Sequence, residues 1–390
     1  MDGTTIEGFR TMLGLLFALW LLSLAVFATV RLGPTTIPAQ VLGFWWLGSF
    51  MGQILAAPMA IVAGLSAILL GGPIAKSVAV LAAALFVLAH LRNRRDGATM
   101  LRAVGLDEAI PPFAGFLPIA SRAGTKRISR IAYAPDGERT TLDIVAPIDR
   151  PAAPMPVLIH IHGGAWVLGK RNQQAKPLIH HLARNGWLCL DINYRLAPKH
   201  RFPAMLTDVL RAIVWVKANV ANYGGDPARI ALSGGSAGGH LTALGALAHD
   251  RAEAKPGFAE ADCTVQAAVP NYGRFDFTDR FNLWGRNHAS LRKWEADKIM
   301  APNPNDAAWD LASPIALVRA DAPPMLVIHG RHDTLIPVAE GAAFANAQRE
   351  AGGSIDHIEL NGGQHAFETM ESALTWGHVR AVHTWLMRHV

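Results

Sequence analysis

Ser236 is the residue whose surroundings point most directly to chemistry. It stands in Gly234-Gly235-Ser236-Ala237-Gly238, after an apolar run at 229–233 and before a helical pattern at 240–249. Strand, sharp turn and helix follow in that order, with the serine at the apex. The outer glycines let strand and helix pack closely. The turn holds the serine in a strained backbone conformation with its hydroxyl pointing out of the sheet. A serine hydroxyl is a weak nucleophile until a base takes its proton. The motif therefore requires a histidine, an acid to orient it and a site for an oxyanion elsewhere in the chain.

Residues 155–162 read as a buried strand that runs into Gly163-Gly164-Ala165-Trp166. Successive glycines after a central strand let backbone N–H groups turn inward. Gly163 and Gly164, with the N–H of Ala237, are the expected donors to the oxygen of a tetrahedral intermediate. Trp166, beside them, is expected to line the site, with simple packing as the alternative. Residues 324–330 form a second strand pattern ending in glycine, and Asp333 follows it, at the strand end where open parallel sheets carry their chemistry. His365 lies in Asn361-Gly-Gly-Gln-His365-Ala-Phe367, after a strand-like stretch at 355–360. The order Ser236, Asp333, His365 gives nucleophile, orienting acid and base. The chain has 16 histidines. His160, inside a strand, reads as a core residue and His162 as a shaper of the oxyanion loop. His329 and His332 flank Asp333 and compete for the base role, but only His365 follows the acid by a full helix and strand.

Five motifs now stand in order: His162-Gly163-Gly164-Ala165-Trp166; Asp191-Ile-Asn-Tyr-Arg-Leu-Ala-Pro198; Gly234-Gly-Ser-Ala-Gly-Gly239; His329-Gly-Arg-His-Asp333; and Gln364-His365-Ala-Phe367. Together they resemble the hormone-sensitive-lipase-like branch of the α/β hydrolases, over roughly residues 126–390. Within it the chain is similar to membrane-associated actinobacterial esterases with an apolar N-terminal region. The resemblance implies an α/β-hydrolase fold and cofactor-free hydrolysis of carboxylic esters with small to medium acyl chains. It gives Ser236, Asp333 and His365 the triad roles and Gly163, Gly164 and Ala237 the oxyanion roles. Two positions depart from the pattern: Ala165 stands where a third glycine is commoner, and Gly235 where an acidic residue often precedes the serine. The latter bears on rate and substrate preference. The His-Gly-Gly-Ala-Trp stretch also resembles prenylcysteine methylesterases and arylformamidases, and some relatives deacetylate sugars. Acyl transfer to an acceptor other than water is open to the same triad. A non-catalytic membrane scaffold is the rival from another class, and the intact serine, acid, histidine and glycines stand against it.

These groups need a scaffold, and the 390 residues suffice for an enzyme domain and something more. Apolar residues make up 51% and charged residues 17%, below the usual quarter. The shortfall sits in the N-terminal quarter: residues 11–30 carry no formal charge, and residues 37–91 carry only Lys76. Residues 12–30 are long enough to cross a bilayer. Further runs at 48–70 and 74–91 give three expected transmembrane helices over residues 1–95, with Pro58 kinking the second and Trp45 and Trp46 at an interface. The acidic N-terminal flank argues against a cleaved signal peptide. Arg31 and the arginines from 92 to 102 then place the catalytic domain on the cytoplasmic side; with two spans the N-terminus changes sides instead. The net charge of +6 comes with no basic stripe or reading motif, so nucleic acid is not an expected partner. Membrane lipids are, with a small-molecule or lipid-like ester as substrate; the oligomeric state is open. Two cysteines make no metal site.

Residues 96–125 read as a linker or cap segment. From 126 onward strand and helix patterns alternate, so a mostly parallel sheet covered on both faces is expected. Residues 271–322 break the alternation with Phe275, Phe277, Phe281, Trp284, Trp294 and Trp309. An insertion of this length beside catalytic strands is expected to be a lid lining an acyl pocket.

Overall fold

The computed structural model describes residues 3–390. The chain packs into two units, one of residues up to 119 with 330–335 and 360–378, the other of 120–329 with 336–359 and 379–390.

In the first unit, α1 (Gly3–Thr29) and α4 (Pro73–Ala103) are each long and apolar enough to cross a membrane. Between them lie α2 (Ala39–Ile54) and α3 (Ala56–Leu69), bent by 81° at the break between them. The expected single helix over 48–70 is thus two. Pro58 supplies the reason: it has no N–H to donate, and its ring clashes with the carbonyl four residues back, which is that of Ile54. The count of apolar crossings is two, or three if the bent pair is one span. α4 also overruns its expected end at Leu91. Arg92, Arg94 and Arg95 lie on the helix itself, and Asn93 and Asp96 are buried in it. Leu21, Ala25, Ala28, Ala56, Ala63, Ala82, Phe86 and Ala89 form the shared core of α1, α3 and α4. Alanine at these positions lets the helix backbones approach closely. Beyond α4, the Arg94 guanidinium donates to the carbonyls of Ile110 and Pro111 at 2.6 and 2.9 Å. Phe113, Leu117 and Ile119 stay exposed.

The second unit is built on an eight-stranded sheet. Its strands are β1 (Thr125–Ala132), β2 (Thr141–Pro147), β3 (Met155–Ile161), β4 (Leu188–Ile192), β5 (Gly225–Gly235), β6 (Ala267–Asn271), β7 (Met325–Gly330) and β8 (Ile355–Leu360), in the order β1-β2-β4-β3-β5-β6-β7-β8. β1, β2 and β4 pair antiparallel; β4, β3, β5, β6 and β7 run parallel. β2, β3, β4 and β7 are buried along their whole length, as strands covered on both faces must be. Helices α5 (Lys176–Arg184), α6 (Ala204–Asn219) and α7 (Ala237–Leu247) alternate with the strands. The insertion after β6 carries two short α-helices, α8 (His288–Trp294) and α9 (Asp306–Leu311), among single helical turns; α10 (Val338–Glu350) and α11 (Ala373–His389) close the alternation. This is the α/β-hydrolase fold.

Candidate functional site

β5 delivers Ser236 to the turn before α7. The serine has φ 60° and ψ −124°, the strained conformation expected of the apex. It is half-buried, whereas the residues of β5 just before it and all of α7 are buried. The surrounding glycines are dictated by backbone proximity. A Cβ at Gly238 would lie 2.0 Å from the Ile161 carbonyl oxygen, and one at Gly234 2.5 Å from that of Gly238. Gly235, the position without the acidic residue, has a different cause: a Cβ there would stand 2.2 Å from the hydroxyl of buried Tyr272. The tyrosine from the end of β6 fills the space that a side chain at 235 would need.

β3 delivers the second loop. Gly163 lies against the serine turn; a Cβ on it would be 3.2 Å from that of Ser236. His162, as expected, shapes this loop. It is buried, stacks on Tyr194 at 4.3 Å, and its Nδ1–H donates to the Gly163 carbonyl at 2.8 Å. Burial lowers its pKa to about 4, so it stays neutral. Gly163 itself departs from expectation. Its N–H already donates to the side-chain oxygen of Gln174 at 2.6 Å, which corrects its assignment as an oxyanion donor. Among the described residues, the amides of Gly164, Ala165 and Ala237 donate no hydrogen bond. Gly164 has φ 127° and Ala165 φ 50°, so the peptide turns sharply here.

Trp166 takes the packing role. It is 5% exposed, with its ring 5.3 Å from that of Phe277, and it donates its indole N–H to His240 Nδ1 at 3.1 Å. The tryptophan is packed into the second unit's core behind the loop. An indole nitrogen only donates, so His240 carries its hydrogen on Nε2, which donates to the Ala312 carbonyl at 2.8 Å. Burial lowers the His240 pKa to about 3. The unfolded chain therefore binds a proton that the folded chain refuses between about pH 6.5 and 3. Stability is full above that window and is lost as pH falls through it. His240→Gln is expected to flatten the loss between pH 6.5 and 4 while costing about 1–2 kcal/mol near pH 7.5, read by denaturant unfolding at each pH. An unchanged slope would refute this account.

The insertion is held by buried ion pairs, within itself and to α10. Arg274 pairs with Glu295 at 3.1 Å and with Glu340, which also accepts from the backbone N–H of Phe275 at 2.6 Å and from the indole of Trp284. Phe275, Phe277, Trp284 and Trp309 are buried and Phe281 is exposed. The aromatic residues expected to line a lid are mostly core.

Asp333 and His365 belong to the first unit. His365 Nδ1–H donates to Asp333 Oδ2 at 2.7 Å, and the other carboxylate oxygen accepts from the Leu335 N–H at 2.8 Å. Both side chains are at most 4% exposed. This contact fixes the tautomer: Nδ1 carries the hydrogen, and Nε2 is left as the basic nitrogen. The rival histidines have surroundings of their own. His332 is buried, its pKa lowered to about 4 by burial and by Arg92 and Arg31. His329 lies against Gly341. His160 Nδ1 meets Ser233 Oγ at 3.2 Å, as befits a core histidine. The boundary expected at 125/126 does not include these loops: 330–335 and 360–378 pack with the N-terminal helices. The cause is a set of polar groups in α2 and α4 that the apolar runs concealed. Gln53 Nε2 donates to the Gly362 carbonyl at 2.6 Å, and Asp96 accepts from the N–H of Asn361 and Gly362 at 3.1 and 2.6 Å.

Comparison with known proteins agrees with this architecture. Esterase LipQ of Mycobacterium tuberculosis is 40% identical over 65% of this chain and 60% of its own length. The probable carboxylic ester hydrolase LipM of the same organism is 42% identical over 65% of this chain and 58% of its own. The chain thus spans about three fifths of the length of these relatives. Among solved structures, a truncated carbohydrate esterase from gut microbiota superposes with a TM-score of 0.57 at 25% identity, over 69% of this chain and 98% of that one. The BD-FAE family profile matches residues 142–347, more than half of the chain, and the chain belongs to that family of α/β hydrolases.

Proposed function

We propose that the protein is a membrane-anchored serine esterase acting on hydrophobic or amphipathic carboxylic esters. The observation that carries this reading is the Asp333–His365 hydrogen bond, which holds a buried imidazole in the tautomer with its hydrogen on Nδ1 that a general base needs, in a chain whose Ser236 occupies a strained, partly exposed turn. Ser236 Oγ attacks the ester carbonyl carbon while its proton passes to His365 Nε2. The carbonyl oxygen becomes an oxyanion held by the N–H groups of Gly164, Ala165 and Ala237. The C–O bond to the alcohol breaks, and the alcohol leaves with the proton from His365. Water then attacks the acyl-enzyme with His365 again as base, releasing the acid and restoring the serine hydroxyl. Asp333 stabilises the imidazolium in both halves. No step calls for a metal or cofactor.

α1 and α4 serve as membrane spans, and the arginines at 92, 94, 95 and 102 set their end of α4 on the cytoplasmic side. The anchor keeps the enzyme where apolar esters concentrate. The insertion at 271–322 would act as a wall of the acyl site, made rigid by its packed aromatic residues. The reading is tested by a fluorophosphonate probe and a panel of p-nitrophenyl esters of graded chain length. Labelling confined to Ser236, located by peptide mass spectrometry, and hydrolysis that varies with acyl length are expected. A folded protein that resists the probe and cleaves no ester would refute it.

A further inference from the structure

We infer that the apolar N-terminal region is part of the catalytic apparatus, with Gln53 of α2 as the positioning residue for the base. This rests on the reading of His365 as that base. The loop carrying His365 is held by side chains of the first unit's helices at nearly every peptide group. Gln53 Nε2 donates to the Gly362 carbonyl at 2.6 Å, while its Oε1 accepts from the Gln364 N–H at 2.9 Å. One side chain thus grips the backbone on both sides of Gly363, as an adjacent strand would. Asp96 of α4 takes the two N–H groups before this point. Trp46 Nε1–H donates to the carbonyl of His365 itself at 3.1 Å. Ser49 accepts from Gln364 Nε2 at 2.8 Å, and the same nitrogen donates to Thr334 Oγ1 at 2.8 Å. Gln364 Oε1 in turn accepts from the N–H groups of Thr334 and His365, each at 2.8 Å. The segment carrying Asp333 and the segment carrying His365 are therefore tied to one amide side chain, and α2 holds that side chain and its backbone.

The helix is itself fixed. Asn93 of α4 donates to the Gln53 backbone carbonyl at 2.8 Å. Gly48 and Gly52, one turn apart on α2, admit α1 so closely that a Cβ on either would meet Phe27 at 2.8 Å or the Leu24 carbonyl at 2.7 Å. Ser49 and Gln53 stand next to these glycines and are buried. Buried polar side chains in an otherwise apolar segment are costly and mark function when they are kept satisfied. The 81° bend at Leu55 turns α2 away from the direction of α3, so an apolar stretch of chain yields one helix for packing against α4 and another for the loop. The placement of an imidazole governs proton transfer steeply, a shift of about 1 Å costing on the order of 100-fold in rate.

The test uses the full chain in detergent or nanodiscs. Gln53→Leu is expected to lower kcat by about 10- to 100-fold with KM changed by less than about threefold, and to slow fluorophosphonate labelling of Ser236 in proportion. The acid limb of the kcat/KM profile is expected to move, which loss of fold stability alone would not do. Trp46→Phe keeps the ring and removes one donor, and should give a smaller loss of the same kind. It decides the matter on the same criteria if Gln53→Leu does not fold. Folded variants with wild-type kcat and pH profile, or a loss carried by KM alone, would overturn the inference. Residual turnover in Ser236→Ala would instead overturn the esterase reading beneath it.

Discussion

Replacing Ser236 by alanine is expected to abolish ester hydrolysis, with kcat falling on the order of 10^6-fold, as when the nucleophile of other serine hydrolases is removed. The size follows from the proposed chemistry. Without Oγ no acyl-enzyme can form, and only binding and the three inward amides remain to act on water. The fold should survive. Ser236 is half-buried and makes no side-chain cap to α7, so its hydroxyl contributes little to stability. Alanine also meets the same left-handed backbone strain at φ 60° as serine does. A stability change within about 0.5 kcal/mol is expected by thermal or denaturant unfolding. Fluorophosphonate labelling should vanish. Wild-type turnover in a folded Ser236→Ala protein would remove the nucleophile from the proposal.

Asp333→Asn is expected to lower kcat by about 10^4-fold with the geometry retained. The asparagine oxygen can still accept from the Leu335 N–H, as the carboxylate does. Its amide nitrogen, however, would donate to His365 Nδ1, forcing the ring hydrogen onto Nε2. The base would then present a donor where it needs a lone pair, and no anion would balance the imidazolium. Combining the change with Ser236→Ala should add almost no further loss, because the residues act as one unit. A loss below about tenfold in Asp333→Asn, measured at saturating ester, would mean that another group orients the base.

Much of this was legible in the sequence because the informative signals are local. Ser236, Asp333 and His365 each follow a short apolar run and a glycine-bearing turn, and strand ends are readable from such patterns. The parallel sheet followed from the alternation of those runs with helical ones. What stayed hidden depended on side chains arriving from elsewhere. Nothing in Gly163-Gly164-Ala165 announces that Gln174 reaches back to occupy the first amide. Gly235 reads as a departure until Tyr272 is seen against it. Trp166 beside the oxyanion loop is equally suited to lining a site or filling a core; its bond to His240 puts it in the core. Pro58 did signal the bend, but Ser49, Gln53 and Asp96 were masked by the hydropathy of their neighbours, so the apolar helices were legible and their polar hold on the histidine loop was not.

The way in which Gln53 and Asp96 grip residues 361–364 bears on how the protein can be handled. Cutting away the first hundred or so residues to obtain a water-soluble fragment would take with them the hydrogen-bond partners of the histidine loop. Such a fragment should retain its sheet and lose its turnover. On the proposed reading, preparations that keep the N-terminal helices in a detergent belt or nanodisc are the ones in which kinetic constants would describe the intact protein, and compounds that wedge between α2 and the loop would inhibit without competing with ester.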